Sequence, residues 1–178
     1  TEKDFSKLNV LSIRPHSNRV YANDIIAKCI IELSKKDYFE KINFTLVGTG
    51  KIYNENFGEL IEKNFPNVKF INDFITPVQI KELHEQNNVF LAPTRLDTHG
   101  VSRAEAASSG LITLTSDVGA IREYVGDRSG IIAKEESYEE YIKFFDDFFA
   151  GNINCSAMSL NGSYETTTKS NINMITDL

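Results

Sequence analysis

Residues 9–33 read NVLSIRPHSNRVYANDIIAKCIIEL. The first six form an apolar run that ends at Arg14, as a buried strand does. After a polar turn, Ile25, Ile26, Cys29, Ile30 and Leu33 recur at helical spacing. The stretch therefore predicts a strand followed by a core-facing helix. The same unit repeats downstream. INFTLVG (42–48) is a strand, YNENFGELIEKNF (53–65) a helix stopped by Pro66, and VKFI (68–71) a strand. Thr76-Pro77 then supplies a cap and a first-turn proline for a helix running to about Gln86.

VFLAP (89–93), LITLTS (111–116) and GIIA (130–133) predict three further strands. Between them lie a short helix from Ser102 to Ser109, ended by Gly110, and a brief helix in GAIREYV (119–125). Ser137 and Glu140 have capping-box spacing ahead of Tyr138, Tyr141, Ile142, Phe145, Phe148 and Phe149, which form one apolar helical face. Beyond Gly151 the composition turns polar, and the spacing of Ile172, Ile175 and Leu178 predicts a last helix that presents them on one side. Alternating continuous apolar strands and amphipathic helices indicate an α/β fold, a doubly wound parallel sheet of Rossmann-like type with helices on both faces. Such sheets bind ligands beyond the carboxyl ends of their strands. Chemistry is therefore expected in the turns after residues 14, 47, 71, 92 and 116.

Composition narrows the function. A chain of 178 residues can bury a core without disulfides or metal, and Cys29 and Cys155 are expected to be inert thiols in a reducing compartment. No run approaches the roughly 20 apolar residues of a membrane span, and TEKDFSKLNV at the start lacks signal-peptide order, so a cytoplasmic location is expected. The net charge of −6 argues against a nucleic-acid surface. All six arginines sit at 14, 19 or between 95 and 128, whereas the lysines are scattered.

Arg14 and Arg19 fall at the end of the first strand and just before a helix, where guanidinium groups and free backbone N–H groups suit a diphosphate; solvated loop arginines are the alternative. His16 is expected to be a surface imidazole. GTG at 48–50, with Asp73 after the next strand, faintly suggests a dinucleotide fingerprint. However, Tyr53 stands where the third glycine belongs, which leaves a tight turn. There is no phosphate-binding GxxxxGK[ST], no nucleophile-bearing Gly-x-Ser-x-Gly and no Asp-x-Asp, and His16, His84 and His99 have no metal-ligand spacing.

LDTHGVSRAE (96–105) has two readings. Ser102 and Glu105 fit a capping box, with Asp97 a turn residue. Alternatively Gly100 brings bare backbone to a ligand, the helix start attracts an anion, and Asp97 and Glu105 accept sugar hydroxyls.

PTRLDTHGVSRAEAASSGLITLTSDVGAIREYV, from Pro93 to Val125, resembles without a gap the signature of glycosyltransferase family 4, in the carboxyl-terminal, donor-binding half of its GT-B enzymes. The resemblance implies that Asp97 faces the donor sugar and Glu105 takes the ribose hydroxyls. It also implies that Gly100, Val101 and Ser102 offer N–H groups to sugar and diphosphate, and that Arg14 and Arg19 hold the phosphates. Gly48 and Gly50 would flank the nucleotide, with Phe74, Ile75, Thr98 and His99 also in the donor pocket. Asp97 is shorter than the family's glutamate, His99 replaces an aromatic, Arg19 replaces a lysine, and Asn72-Asp73 replaces a glycine.

Further implications are a nucleotide diphosphate sugar as donor substrate, retention of anomeric configuration, no metal or other cofactor, and a role in bacterial glycan or polysaccharide biosynthesis. The whole chain would be one such domain, with 1–8 as linker and 164–178 as a tail helix toward an amino-terminal acceptor-binding half. That half is missing from this sequence, so the isolated chain is expected not to transfer sugar. In the complete enzyme it could bring the protein to the inner face of the membrane. Two other readings compete: a non-catalytic nucleotide-binding or regulatory module, and a nicotinamide-dependent dehydrogenase resting on GTG.

Overall fold

The computed structural model describes residues 3–96, 100–119, 121 and 130–161. Six strands, β1 (Leu8–Ile13), β2 (Ile42–Val47), β3 (Val68–Ile71), β4 (Val89–Ala92), β5 (Ile112–Ser116) and β6 (Gly130–Ala133), form one sheet in the order β3-β2-β1-β4-β5-β6. Every pairing is parallel, with Leu8 to Ile13 in register with Ile42 to Val47. The helices are α1 (Asn23–Leu33), α2 (Tyr53–Lys63), α3 (Pro77–Gln86), α4 (Val101–Ser108), α5 (Glu139–Phe149) and α6 (Cys155–Asn161).

Strand alternation divides the apolar residues between two faces. Val10, Phe44, Leu46, Leu91 and Leu114 face α1, α2 and α5, where Ile26, Ile30, Phe57, Tyr141 and Phe145 complete the larger core. Leu11, Val47, Phe90 and Ala92 face α3 and α4 through Leu83 and Ala106. The sheet is thus doubly wound, and β4 and β5 are buried along their whole length; β4 accordingly reads as an unbroken apolar run, while β5 also buries Thr113, Thr115 and Ser116.

Most boundaries follow local chemistry. Thr76 caps α3 reciprocally with Gln79: Gln79 N–H donates to Thr76 Oγ1 at 3.3 Å, and Thr76 N–H donates to Gln79 Oε1 at 2.8 Å. Asn64, in the left-handed region at φ 49°, ends α2 before Pro66 is reached. The box expected at Ser137 does not form. Tyr138 precedes α5, Ser137 Oγ donates to Glu139 Oε2, and Glu140 accepts from Lys134 N–H instead.

Cys155 falls where the composition turns polar, yet it is buried. It starts α6 and packs with Met158 against the main core, where burial pushes its thiol up to about 11. Cys29 is likewise a buried free thiol. Most of the predicted helix in 119–125 and the predicted tail helix over 164–178 lie outside the described residues.

Phe145 is 0% exposed at the centre of the α5 face, whereas Phe149 only flanks the core. Phe145→Ala is expected to lower the unfolding free energy by about 3 to 5 kcal/mol, and Phe149→Ala by clearly less. Urea denaturation checks this, and equal losses would contradict the assignment of the core.

Candidate active site

The strand order turns back on itself at β1, whose two neighbours are β2 and β4. Connections leave these neighbours in opposite directions and open a crevice at the carboxyl ends. Arg14 stands in it. Its N–H donates to Val47 O at 2.9 Å, extending the β1–β2 ladder, and its Nη2 donates to Pro93 O at the end of β4, 3.2 Å away. The guanidinium carbon lies 5.3 Å from the Tyr21 ring centroid, and the residue is 4% exposed. Arg14 is therefore built into the crevice wall and is not a solvated loop residue.

Arg19 differs. It begins a short 3-10 turn, Arg19–Tyr21, capped by Asn18, and projects into solvent as an ion pair with Glu55 of α2. His16, expected at the surface, is 1% exposed. Its ring sits edge-on to Tyr53 and Phe57, with centroids 4.8 and 4.6 Å away, and the Asn56 amide nitrogen lies 3.1 Å from Nδ1. With Asn56 donating, Nδ1 accepts and the imidazole is neutral. Burial lowers its pKa to about 4. Sequence alone missed this because the enclosing residues come from α2, about forty positions away.

The His16 main chain also holds the glycine turn. His16 N–H donates to Thr49 O at 3.0 Å, and its carbonyl accepts from Ile52 N–H at 3.1 Å. Gly48 and Gly50 have φ of 151° and 154°. A Cβ on Gly48 would fall 1.9 Å from Arg14 O, and one on Gly50 would fall 2.3 Å from the His16 carbonyl. Both glycines are needed for the close approach of two loops. This is more than the tight turn read from spacing.

Gly100, at φ 56° and ψ 54°, is the residue that starts α4, and its carbonyl accepts from Arg103 N–H and Ala104 N–H at 2.9 and 3.0 Å. The capping-box reading is therefore overturned: α4 starts one residue early, Ser102 lies inside it, and among the described residues no side chain caps the end. The N–H groups of Val101 and Ser102 belong to the helix's open amino end. Glu105, one turn on, is exposed and borders a groove of about 600 Å³ between α3 and α4, with Pro77, Ile80, His84, Val101 and Ala104.

Phe74 is 87% exposed after β3, Ile75 is half-buried beside it, and Asp73 accepts from Phe74 N–H at 2.7 Å. Val101, at the start of α4, and Leu96, past β4, are also exposed apolar side chains, at 67% and 68%. Asp97, Thr98 and His99 lie outside the described residues. Among the described residues, no three His, Cys, Asp or Glu side chains gather as a metal site.

Two residues escaped sequence reasoning. Arg103, 2% exposed, lies under Gly100 and donates through Nη1 to Thr115 Oγ1 at 3.1 Å, and Thr115 Oγ1 donates to Ala92 O at 3.0 Å. Arg95 binds side chains of α1 and of the β6–α5 loop. The uneven spread of arginines was the available signal; their partners were not readable from it.

A six-stranded, all-parallel Rossmann-like sheet with glycines at its second turn defines the class, an α/β fold of the kind that forms GT-B carboxyl-terminal domains. The family follows from the sequence itself: the chain belongs to the glycosyl transferases group 1 family, whose model matches residues 26–163. Curated protein sequences give no match.

Among solved structures, the chain is similar to the C-terminal domain of the group 1 glycosyl transferase LpcC from Francisella tularensis. The TM-score is 0.75 at 14% identity, over 91% of this chain and 85% of that one. It is also similar to WaaG, a glycosyltransferase involved in lipopolysaccharide biosynthesis (TM-score 0.72, 20% identity, 92% of this chain and 43% of that one). A third is the structure of "Trehalose-6-phosphate from E. coli bound with UDP-2-fluoro glucose" (TM-score 0.71, 12% identity, 96% of this chain and 42% of that one). The chain thus spans less than half of the two longer structures. At these identities the likeness establishes the fold.

The lowered His16 pKa makes stability pH-dependent. The unfolded chain binds the proton more readily, so His16's contribution is full above about pH 6.5 and is lost as pH falls toward about 4. Between pH 7 and pH 4.5 the wild type should lose on the order of 2 kcal/mol more unfolding free energy than His16→Asn. Parallel losses in urea titrations would contradict the neutral, buried imidazole.

Proposed function

We propose that this chain is the donor-binding half of a retaining, metal-independent glycosyltransferase of family 4, taking a nucleotide diphosphate sugar in glycan or polysaccharide biosynthesis. The observation that carries the reading is the start of α4. Gly100 in a left-handed conformation presents the N–H groups of Val101 and Ser102, while Glu105 borders the adjoining groove.

In this reading the diphosphate meets the open end of α4 and the glycine turn at 48–50, with Arg14 and Arg19 at its flank. Glu105 accepts the two ribose hydroxyls, and Phe74, Ile75 and Thr98 border the nucleoside. Asp97 and His99 face the sugar. As the bond from the anomeric carbon to oxygen breaks, negative charge grows on the leaving diphosphate. Fixed N–H dipoles and guanidinium groups stabilise that charge without reorganising. No metal is required, because those cationic groups carry the load. The acceptor-binding half would come from the amino-terminal part of a longer polypeptide, its closure excluding water. Residues 164–178 would pack toward it. The enzyme would be cytoplasmic, reaching the membrane only peripherally and binding no nucleic acid; among the described residues no helix is long and apolar enough to cross a membrane.

Calorimetry of the chain with UDP, GDP, ADP and NAD, with and without magnesium, tests the reading. One nucleoside diphosphate is expected to bind equally in both conditions. Arg19→Ala should weaken it by about 1 to 3 kcal/mol, the range of a charge-assisted hydrogen bond. Glu55→Gln, which releases Arg19 from its ion pair, should tighten it. NAD binding without diphosphate binding would contradict the proposal.

A further inference from the structure

Arg95 leaves the end of β4 two residues before Asp97, and the donor reading gives it no contact with ligand. Its five guanidinium N–H bonds are all engaged. Nη1 donates to Asp24 Oδ1 at 2.8 Å and to the carbonyl of Arg19 at 2.7 Å. Nη2 donates to Asp24 Oδ2 and Glu136 Oε2, both at 2.8 Å, and Nε donates to Glu136 Oε1. The main chain adds Arg95 N–H to Val20 O at 2.9 Å.

Three segments meet on this one side chain: the Arg19 turn with the first turn of α1, the strand end leading into Asp97, and the β6–α5 loop, where Glu136 is held at φ 63°. Hydrogen bonds from Arg95 hold the Asp24 carboxyl below the usual range, so the pair stays charged across neutral pH. A guanidinium with no donor left cannot also bind a ligand. Lysine, with three donors and no planar fork, could not reproduce the arrangement.

We propose that Arg95 is a positioning residue for the donor site, fixing the turn that carries Arg19 against the chain that leaves β4. The consequence for ligand binding rests on the donor reading above; the tie between the loops does not. Partly exposed ion pairs add little stability, so the expected loss on removal is of placement and not of fold.

The test uses the 178-residue chain as wild type, Arg95→Met, Arg95→Lys and the double variant Asp24→Asn/Glu136→Gln, with Lys36→Met as a control. The control breaks the Lys36–Asp146 pair elsewhere on the surface. Amide hydrogen exchange without ligand reads the tie. Exchange over residues 17–22 should quicken by about tenfold in Arg95→Met and in the double variant, with little change in the control. Titration with UDP, GDP and ADP reads the consequence. Arg95→Met should bind about tenfold more weakly at an unchanged melting temperature, with Arg95→Lys in between, and the loss should shrink in an Arg19→Ala background. Unchanged exchange overturns the tie. Faster exchange with unchanged affinity, or full additivity with Arg19→Ala, overturns the positioning role. A wild type that binds none of UDP, GDP and ADP overturns the donor reading and the positioning role with it, whatever the exchange shows.

Discussion

One contact organises the carboxyl edge of the sheet: Arg14 bridging β2 and β4 from the end of β1. Its main chain continues the ladder to Val47 while its side chain crosses to Pro93. The crevice exists because the strand order reverses there, and Arg14, the residue just past β1, touches both halves. Other features follow from that placement. The Arg14 carbonyl occupies the space a Cβ at position 48 would need, so the β2–α2 turn begins with glycine. The His16 carbonyl does the same at position 50, and burial of the His16 ring locks the loop that carries both.

Two arginines at this edge are already paired with carboxylates without ligand. Arg19 is held by Glu55, and Arg95 by Asp24 and Glu136. An incoming diphosphate would therefore exchange with a carboxylate at Arg19 instead of meeting a bare cation. At Arg95 it would find no donor. The two arginines look alike in sequence, yet geometry divides them into a residue able to contact an anion and one that holds the contact in place. At the start of α4 the anion would meet backbone N–H groups that no described side chain caps.

The strands were legible in the sequence because a sheet covered on both faces demands continuous apolar runs. The cap of α3 was legible because Thr76, Pro77 and Gln79 act within four positions. The misreadings share a cause: the deciding partner was distant or conformational. Ser102 and Glu105 have capping-box spacing, but the left-handed Gly100 starts the helix before Ser102 can cap it. His16 looked solvated until Tyr53, Asn56 and Phe57 closed over it. Cys155 sat in polar sequence yet reaches the core. For the site, sequence indicated the turns and Gly100, while Arg95 and Arg103 could be found only from their partners.

The central claim is that a nucleoside diphosphate binds at the carboxyl edge, between the glycine turn at 48–50 and the start of α4. Amide chemical-shift mapping of the 15N-labelled chain during titration with UDP or GDP tests it most directly. The account predicts the largest, saturable shifts at Gly48–Gly50 and Gly100–Arg103, with little change at Lys35–Lys41 near the opposite edge. Saturable shifts centred on Lys35–Lys41, with the α4 start unmoved, would contradict it.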